Sequence, residues 1–187
     1  QAVFSKPYME VEEVIVVRAA DSTVTRPQDL SGKTIHLRAS SSFYGSLQRL
    51  QQTVPGITIV TLPEDTETEE VLAGVDDGTY DITVSDSNLL QVEQAYGRQL
   101  RSAFSVKPAQ LGWAVRNNNK ELLTALNDFI DAEYKGLFYN MMLRRYFRNQ
   151  RNIGRALDSE RSDITGTISP FDTTIKKYAS RFDLDWR

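Results

Sequence analysis

TIHLRASSSFYGSLQRL, residues 34–50, opens on a short apolar run at Thr34–Leu37, passes through three serines and continues with Phe43, Leu47 and Leu50 at the spacing of one helix face. A serine oxygen can accept from the free N–H groups of a first helical turn, so Ser40, Ser41 and Ser42 stand where an N-cap is wanted. The unit reads as strand, polar cap, helix. It recurs downstream, where ITIVTL (57–62) precedes a stripe of Val71, Leu72 and Val75, and YDITV (80–84) precedes one of Leu89, Val92 and Tyr96. Upstream, VEEVIVVRA (11–19) holds four consecutive β-branched residues, Val14 to Val17, a pattern suited to a strand covered on both faces. Short strands alternating with helices predict an α/β fold on a parallel sheet flanked by helices.

Two further apolar runs, 100–106 and 111–116, are separated by Lys107-Pro108, where a turn is expected. Beyond them the pattern becomes helical. Leu122, Leu126, Phe129 and Ile130 define one amphipathic helix with Asn117–Asn119 available as its cap, and Gly136 should divide it from a second, running from Leu137 to about Phe147. Residues 149–166 are polar and linker-like, and Ser169-Pro170-Phe171-Asp172 opens a last helix carrying Phe171, Ile175, Tyr178 and Phe182.

Composition removes several chemistries. Among 187 residues, 22 Lys+Arg against 25 Asp+Glu leave a net charge of −3, which gives no bulk electrostatic basis for binding nucleic acid. The absence of cysteine excludes disulfides, thiolate metal sites and cysteine nucleophiles, and a single histidine, His36, excludes paired-histidine zinc motifs. His36 lies within a strand run and reads as packed. No metal or cofactor is expected. No apolar run approaches the roughly 18 to 20 residues that span a bilayer, and the N-terminus has no signal-peptide pattern. The start at Gln1, without an initiator Met, reads as a segment of a longer protein. Charge is segregated: Glu64 to Gly97 holds ten acidic residues and no Lys or Arg, whereas Arg144, Arg145, Arg148, Arg151 and Arg155 fall in a stretch free of acids. Such runs are read as solvated faces.

The candidate site lies at two strand ends. Free amides and the helix dipole at Ser40–Ser42 suit a carboxylate, although pattern alone favours a plain cap for the same serines. Asp86, in Val84-Ser85-Asp86-Ser87, again closes a strand and opens a helix, and it too reads either as a cap or as a ligand contact. Ligands of open α/β sheets collect outside such strand ends, so the two turns could face one crevice and present donors and a negative charge to a zwitterion. No Asp or Glu stands apart as a catalytic acid.

Phe4-Ser5-Lys6-Pro7-Tyr8, Asp29-Leu30-Ser31-Gly32-Lys33 and Gly78-Thr79-Tyr80-Asp81 through Asp86 together resemble, in order and spacing, the family-3 periplasmic solute-binding proteins over about residues 1–147. The resemblance implies an α/β, type II periplasmic-binding-protein-like fold, here mainly the second lobe with the C-terminal helices of the first. It implies that Ser41 and Ser42, with Ser40 adjacent, meet a ligand carboxylate and that Asp86 meets its amino group. Ala39 departs from the glycine usual before the hydroxyls. The first-lobe arginine and aromatic residues of the family would precede Gln1. Residues 111–147 would then pack on a sheet whose earlier strands are missing, leaving Leu126, Phe129, Ile130 and Phe138 uncovered.

The tail, from Ile168-Ser-Pro-Phe-Asp172 through Ile175-Lys-Lys-Tyr-Ala179 to Asp185-Trp186-Arg187, resembles the opening helix of a lysozyme-like transglycosylase domain. The implied organisation is a solute-binding-like regulatory domain at 1–147, a linker at 148–167 and the first helix of a transglycosylase domain at 168–187. The parent would be a periplasmic lytic transglycosylase associated with the outer membrane, cleaving the MurNAc–GlcNAc bond of peptidoglycan with a Glu beyond Arg187. This chain would bind an amino acid or muropeptide and cleave nothing. Two other readings share the lobes: an amino-acid receptor of an ABC transporter, and a dehydratase built on the same fold.

Overall fold

The computed structural model describes residues 2–145 and 171–182. The expected linker at 148–167, with Arg148, Arg151, Arg155 and Glu160, lies outside the described residues, as do 168–170 and 183–187.

Strand β1 (Ala2–Phe4) leads into β2 (Met9–Arg18), the middle of a three-stranded sheet. Its flanking strands are β5 (Ile82–Asp86) and β6 (Leu100–Leu111), both antiparallel to it. Between β2 and β5 come β3 (Thr34–Arg38), α1 (Ser42–Thr53), β4 (Thr58–Leu62) and α2 (Thr68–Asp77). Strands β3 and β4 pair in parallel, and β3 lies beside β5, where Thr83 Oγ1 donates to the His36 carbonyl at 2.8 Å. Helix α3 (Ser87–Ala95) follows β5 directly, and after β6 come β7 (Ala114–Arg116), α4 (Lys120–Glu133) and α5 (Leu137–Leu143). Strand β7 pairs with β1. The last described element is α6 (Asp172–Phe182).

The unbroken valine and isoleucine run of β2 is explained by its two covered faces. Ile15 and Val17 join Ile82, Val84, Ile35, Leu37, Phe43 and Leu47 in one core, while Val14 and Val16 join Leu72, Val75, Leu90 and Leu100 in another. Each such side chain, fully buried, contributes about 1.5–3 kcal/mol of transfer free energy. Helix α2 ends at Gly78, whose φ of 88° is a left-handed cap conformation that glycine adopts without a Cβ penalty.

Two expectations about the sheet are corrected. The strands around β2 are antiparallel, and among the described residues only β3 and β4 pair in the parallel arrangement expected from strand–helix alternation. Residue periodicity identifies a strand, but its direction relative to a neighbour follows from the path of the connections, which leaves no periodic trace. Nor does the chain turn at Lys107-Pro108: β6 runs through both, with Pro108 opposite Glu12. In the strand order β5-β2-β6, β6 is an edge strand, the place where a residue lacking an N–H is tolerated.

Helix α4 takes the expected cap, Asn119 Oδ1 accepting from the Leu122 amide at 3.3 Å. Tyr8 stacks on Trp113 with ring centroids 5.0 Å apart, and Trp113, Phe129 and Phe138 continue the row at 6.4 and 6.3 Å. Phe129 and Phe138 are exposed as expected, together with Leu122, Leu137 and Met141, but Ile130 is buried and Leu126 half-buried. On α6, Ile175, Tyr178 and Phe182 are exposed, as is Phe171 just before it, whereas Asp172 and Ala179 are buried.

Candidate functional site

Ser41 holds the N-cap position of α1 in an extended backbone conformation, φ −67° and ψ 148°, yet its side chain accepts nothing from the first turn. The buried Ser41 Oγ has no hydrogen-bond partner in the protein. Ser40 and Ser42 are exposed on either side. Beside Ser41, Arg38 at the end of β3 donates to the Glu64 carbonyl at 3.3 Å and lies 3.7 Å from the Glu67 carboxylate, while its Nε is buried without a partner. Arg38 and Ser41 border a cavity of ≈ 10 Å³ with Thr66, Thr68, Thr83 and Val84, room for about one water molecule.

Asp86 repeats this geometry at the other turn. It is the N-cap residue of α3, extended at φ −73° and ψ 142°, and its side chain likewise makes no capping bond. Burial pushes its carboxyl above the ordinary aspartate value, the nearby Glu13 charge adds to the effect, and Lys107 opposes it. The structure brings the Ser41 turn against Thr83 and Val84, on the same strand as Asp86 and only two residues short of it. Asp86 itself does not line that small cavity.

The strand–helix pattern did not reveal Glu13 and Lys107. Glu13 is the cross-strand partner of Asp86 on β5 and of Lys107 on β6, and Lys107 Nζ lies 2.9 Å from Glu13 Oε1. Two adjacent glutamates, Glu12 and Glu13, ahead of an apolar run were the available signal. Glu12 is exposed and Glu13 buried, with a register irregularity directly after Glu13.

Below the first turn of α3 lies a groove that sequence reading also missed. Ser87, Asn88 and Gln91 face Met9, Glu10 and Val11 of β2 and the Tyr134–Asn140 region across a cavity of ≈ 480 Å³. A second hollow of ≈ 400 Å³ shares Glu10, Val11 and Ser87 and extends along Pro108–Gln110. Asn88 Oδ1 is buried there without a partner, and Lys135 Nζ pairs with Glu10 at 3.4 Å. His36, by contrast, is a packing residue. Its ring lies 4.6 Å from that of Tyr80, and burial lowers its pKa against the opposing charge of Asp81.

The fold built around this buried central strand matches solved binding proteins. An ancestral arginine-binding protein bound to glutamine superposes with a TM-score of 0.60 at 26% identity, over 79% of this chain and 64% of that one. The chain has the type II periplasmic-binding-protein fold. Its sequence relatives are of a different kind. Membrane-bound lytic murein transglycosylase F of Desulfosudis oleivorans is 29% identical over 98% of the chain, and that of Pseudomonas putida is 30% identical over 100% of it. The chain spans about two fifths of the length of these relatives, 41% and 39%. No protein-family model matches it. No helix among the described residues is long and apolar enough to cross a membrane.

Proposed function

We propose that the chain is the ligand-sensing module of a peptidoglycan lytic transglycosylase, binding an amino acid or a cell-wall peptide and thereby modulating cleavage of the MurNAc–GlcNAc bond by the rest of the enzyme. One observation carries this reading: a chain with the binding-protein fold is matched along almost its whole length by part of lytic transglycosylases. An amino-acid receptor of a transporter would share the fold, but the match continuing through residues 148–187 supports the enzyme-linked reading. The compartment that follows is the periplasm, with the parent enzyme at the outer membrane.

Ser40, Ser41 and Ser42 receive the ligand carboxylate and Asp86 its ammonium group. The support is that Ser41 and Asp86 both occupy N-cap positions while neither side chain caps, which leaves their oxygens available to another partner. Binding then shifts the parent between two states by the ligand's differential affinity for them. Regulation consists of that shift.

Calorimetric titration with L-glutamine, L-arginine and a purified muropeptide tests the binding. At least one should bind, and Asp86→Asn should weaken it tenfold or more. No binding of any of the three to the folded protein, or unchanged affinity in Asp86→Asn, would overturn the assignment. Transglycosylase activity of the parent, assayed with and without the bound compound, tests regulation, and equal rates would refute it.

A further inference from the structure

Glu13 is the most deeply buried acid of the sheet, its side chain only 3% exposed. One oxygen, Oε1, is satisfied by Lys107, but Oε2 is buried with no partner. A carboxylate oxygen left so loses its hydration without compensation, so the arrangement calls for a donor. Lys107 sits on one flank of Glu13 in the register and Asp86 on the other. Directly opposed residues on antiparallel strands have Cβ atoms about 5 Å apart, a separation at which two carboxyl groups can share a proton.

We propose that in the empty site Asp86 is a carboxylic acid donating its O–H to Glu13 Oε2, and that the ammonium group of a ligand takes the place of this proton. On binding, the Asp86 O–H bond breaks and the proton leaves to solvent. The ammonium keeps its own protons, so one positive charge replaces another beside the pair. Glu13 is thus a positioning residue that sets the protonation of Asp86 and makes the site select for a full cationic charge. The inference rests on the assignment of Asp86 to the ligand's amino group. Among the described residues the charged groups acting on Asp86 are Glu13 from β2 and Lys107 from β6, and the upward displacement of the Asp86 acid agrees with this balance.

Carboxyl-detected NMR titration of the ligand-free protein is the first test. Asp86 should titrate above the ordinary aspartate range, Glu13→Gln should bring it down, and Lys107→Gln should move it further up. A folded Glu13→Gln protein with the parent's Asp86 midpoint overturns the proposal. Should one of the two variants not fold, the other decides, and an unmoved Asp86 midpoint in the folded one is equally fatal. The second test is titration with L-glutamine in two buffers of different ionisation heat, below the Asp86 midpoint. Release approaching one proton per ligand is expected, and binding with none released refutes the exchange. Failure of L-glutamine to bind counts against the binding function, while the ligand-free titration still decides whether Glu13 keeps a proton on Asp86.

Discussion

Lys107 Nζ on the edge strand β6 lies 2.9 Å from Glu13 Oε1 in the middle of β2, and the two differ sharply in exposure, 41% against 3%. The pair is a buried carboxylate held by a cation that reaches in from solvent. Removing the cation strands the carboxylate, whereas neutralising the carboxylate leaves only an exposed ammonium. Lys107→Met should therefore destabilise the protein by about 1–3 kcal/mol, and Glu13→Gln by less. Urea unfolding of both variants measures the difference, and a larger loss for Glu13→Gln would contradict the asymmetry.

A Cβ placed on Gly74 would lie 2.4 Å from Tyr80 Cδ2, far inside van der Waals contact. Alanine gains up to about 1 kcal/mol of helix propensity over glycine, but overpacking costs about 1–3 kcal/mol. Taking the full propensity gain, Gly74→Ala should be net destabilising by up to about 2 kcal/mol. It should also push Tyr80 off the His36 ring, and the ring-current shift of the His36 protons reads that displacement directly.

Asp29 accepts from the Thr25 backbone and hydroxyl and from Arg26, and these bonds hold its pKa at about 2, below the ordinary value of 3.8. Because the folded value is depressed, its stabilisation is complete above 3.8 and disappears as the pH falls through about 2. Asp29→Asn should remove this acid-side slope. Thermal unfolding midpoints between pH 5 and about 2 test it, the parent falling more steeply than the variant.

Asp86 has the opposite sign. Its folded-state pKa is raised, so the unfolded chain gives up the proton first, and stability declines as the pH climbs from 3.8 toward the raised value. Asp86→Asn should accordingly melt higher than the parent at neutral pH, with the difference vanishing below 3.8, where both states carry the proton. A parent that is the more stable of the two at neutral pH would show that burial of Asp86 is otherwise compensated. A buried residue that costs the fold stability is the usual mark of a position arranged for something other than folding.

Much of the architecture was legible in the order of residues. Val14–Val17 announced a strand with two covered faces, the Ser40–Ser42 stretch announced the start of α1, and the Asn117–Asn119 run announced the cap of α4, because each depends on neighbours close along the chain. Pro108 misled for the same reason: a local turn signal was overridden by its place on an edge strand, which is not a local property. Ile130 differs in kind, since its helix stripe was identified correctly while its burial depended on packing between elements.

Sequence alone determined the element types and the positions of Ser41 and Asp86 at helix starts, since spacing and hydroxyl or carboxyl chemistry act within a few residues. Only the tertiary structure decided that neither side chain spends its oxygen on its own helix, that β2 runs antiparallel to both neighbours, and that Glu13 meets Asp86 and Lys107 across three strands. Those facts bring together residues as far apart in the chain as 13, 86 and 107, and the pairing that joins them is a property of the folded sheet.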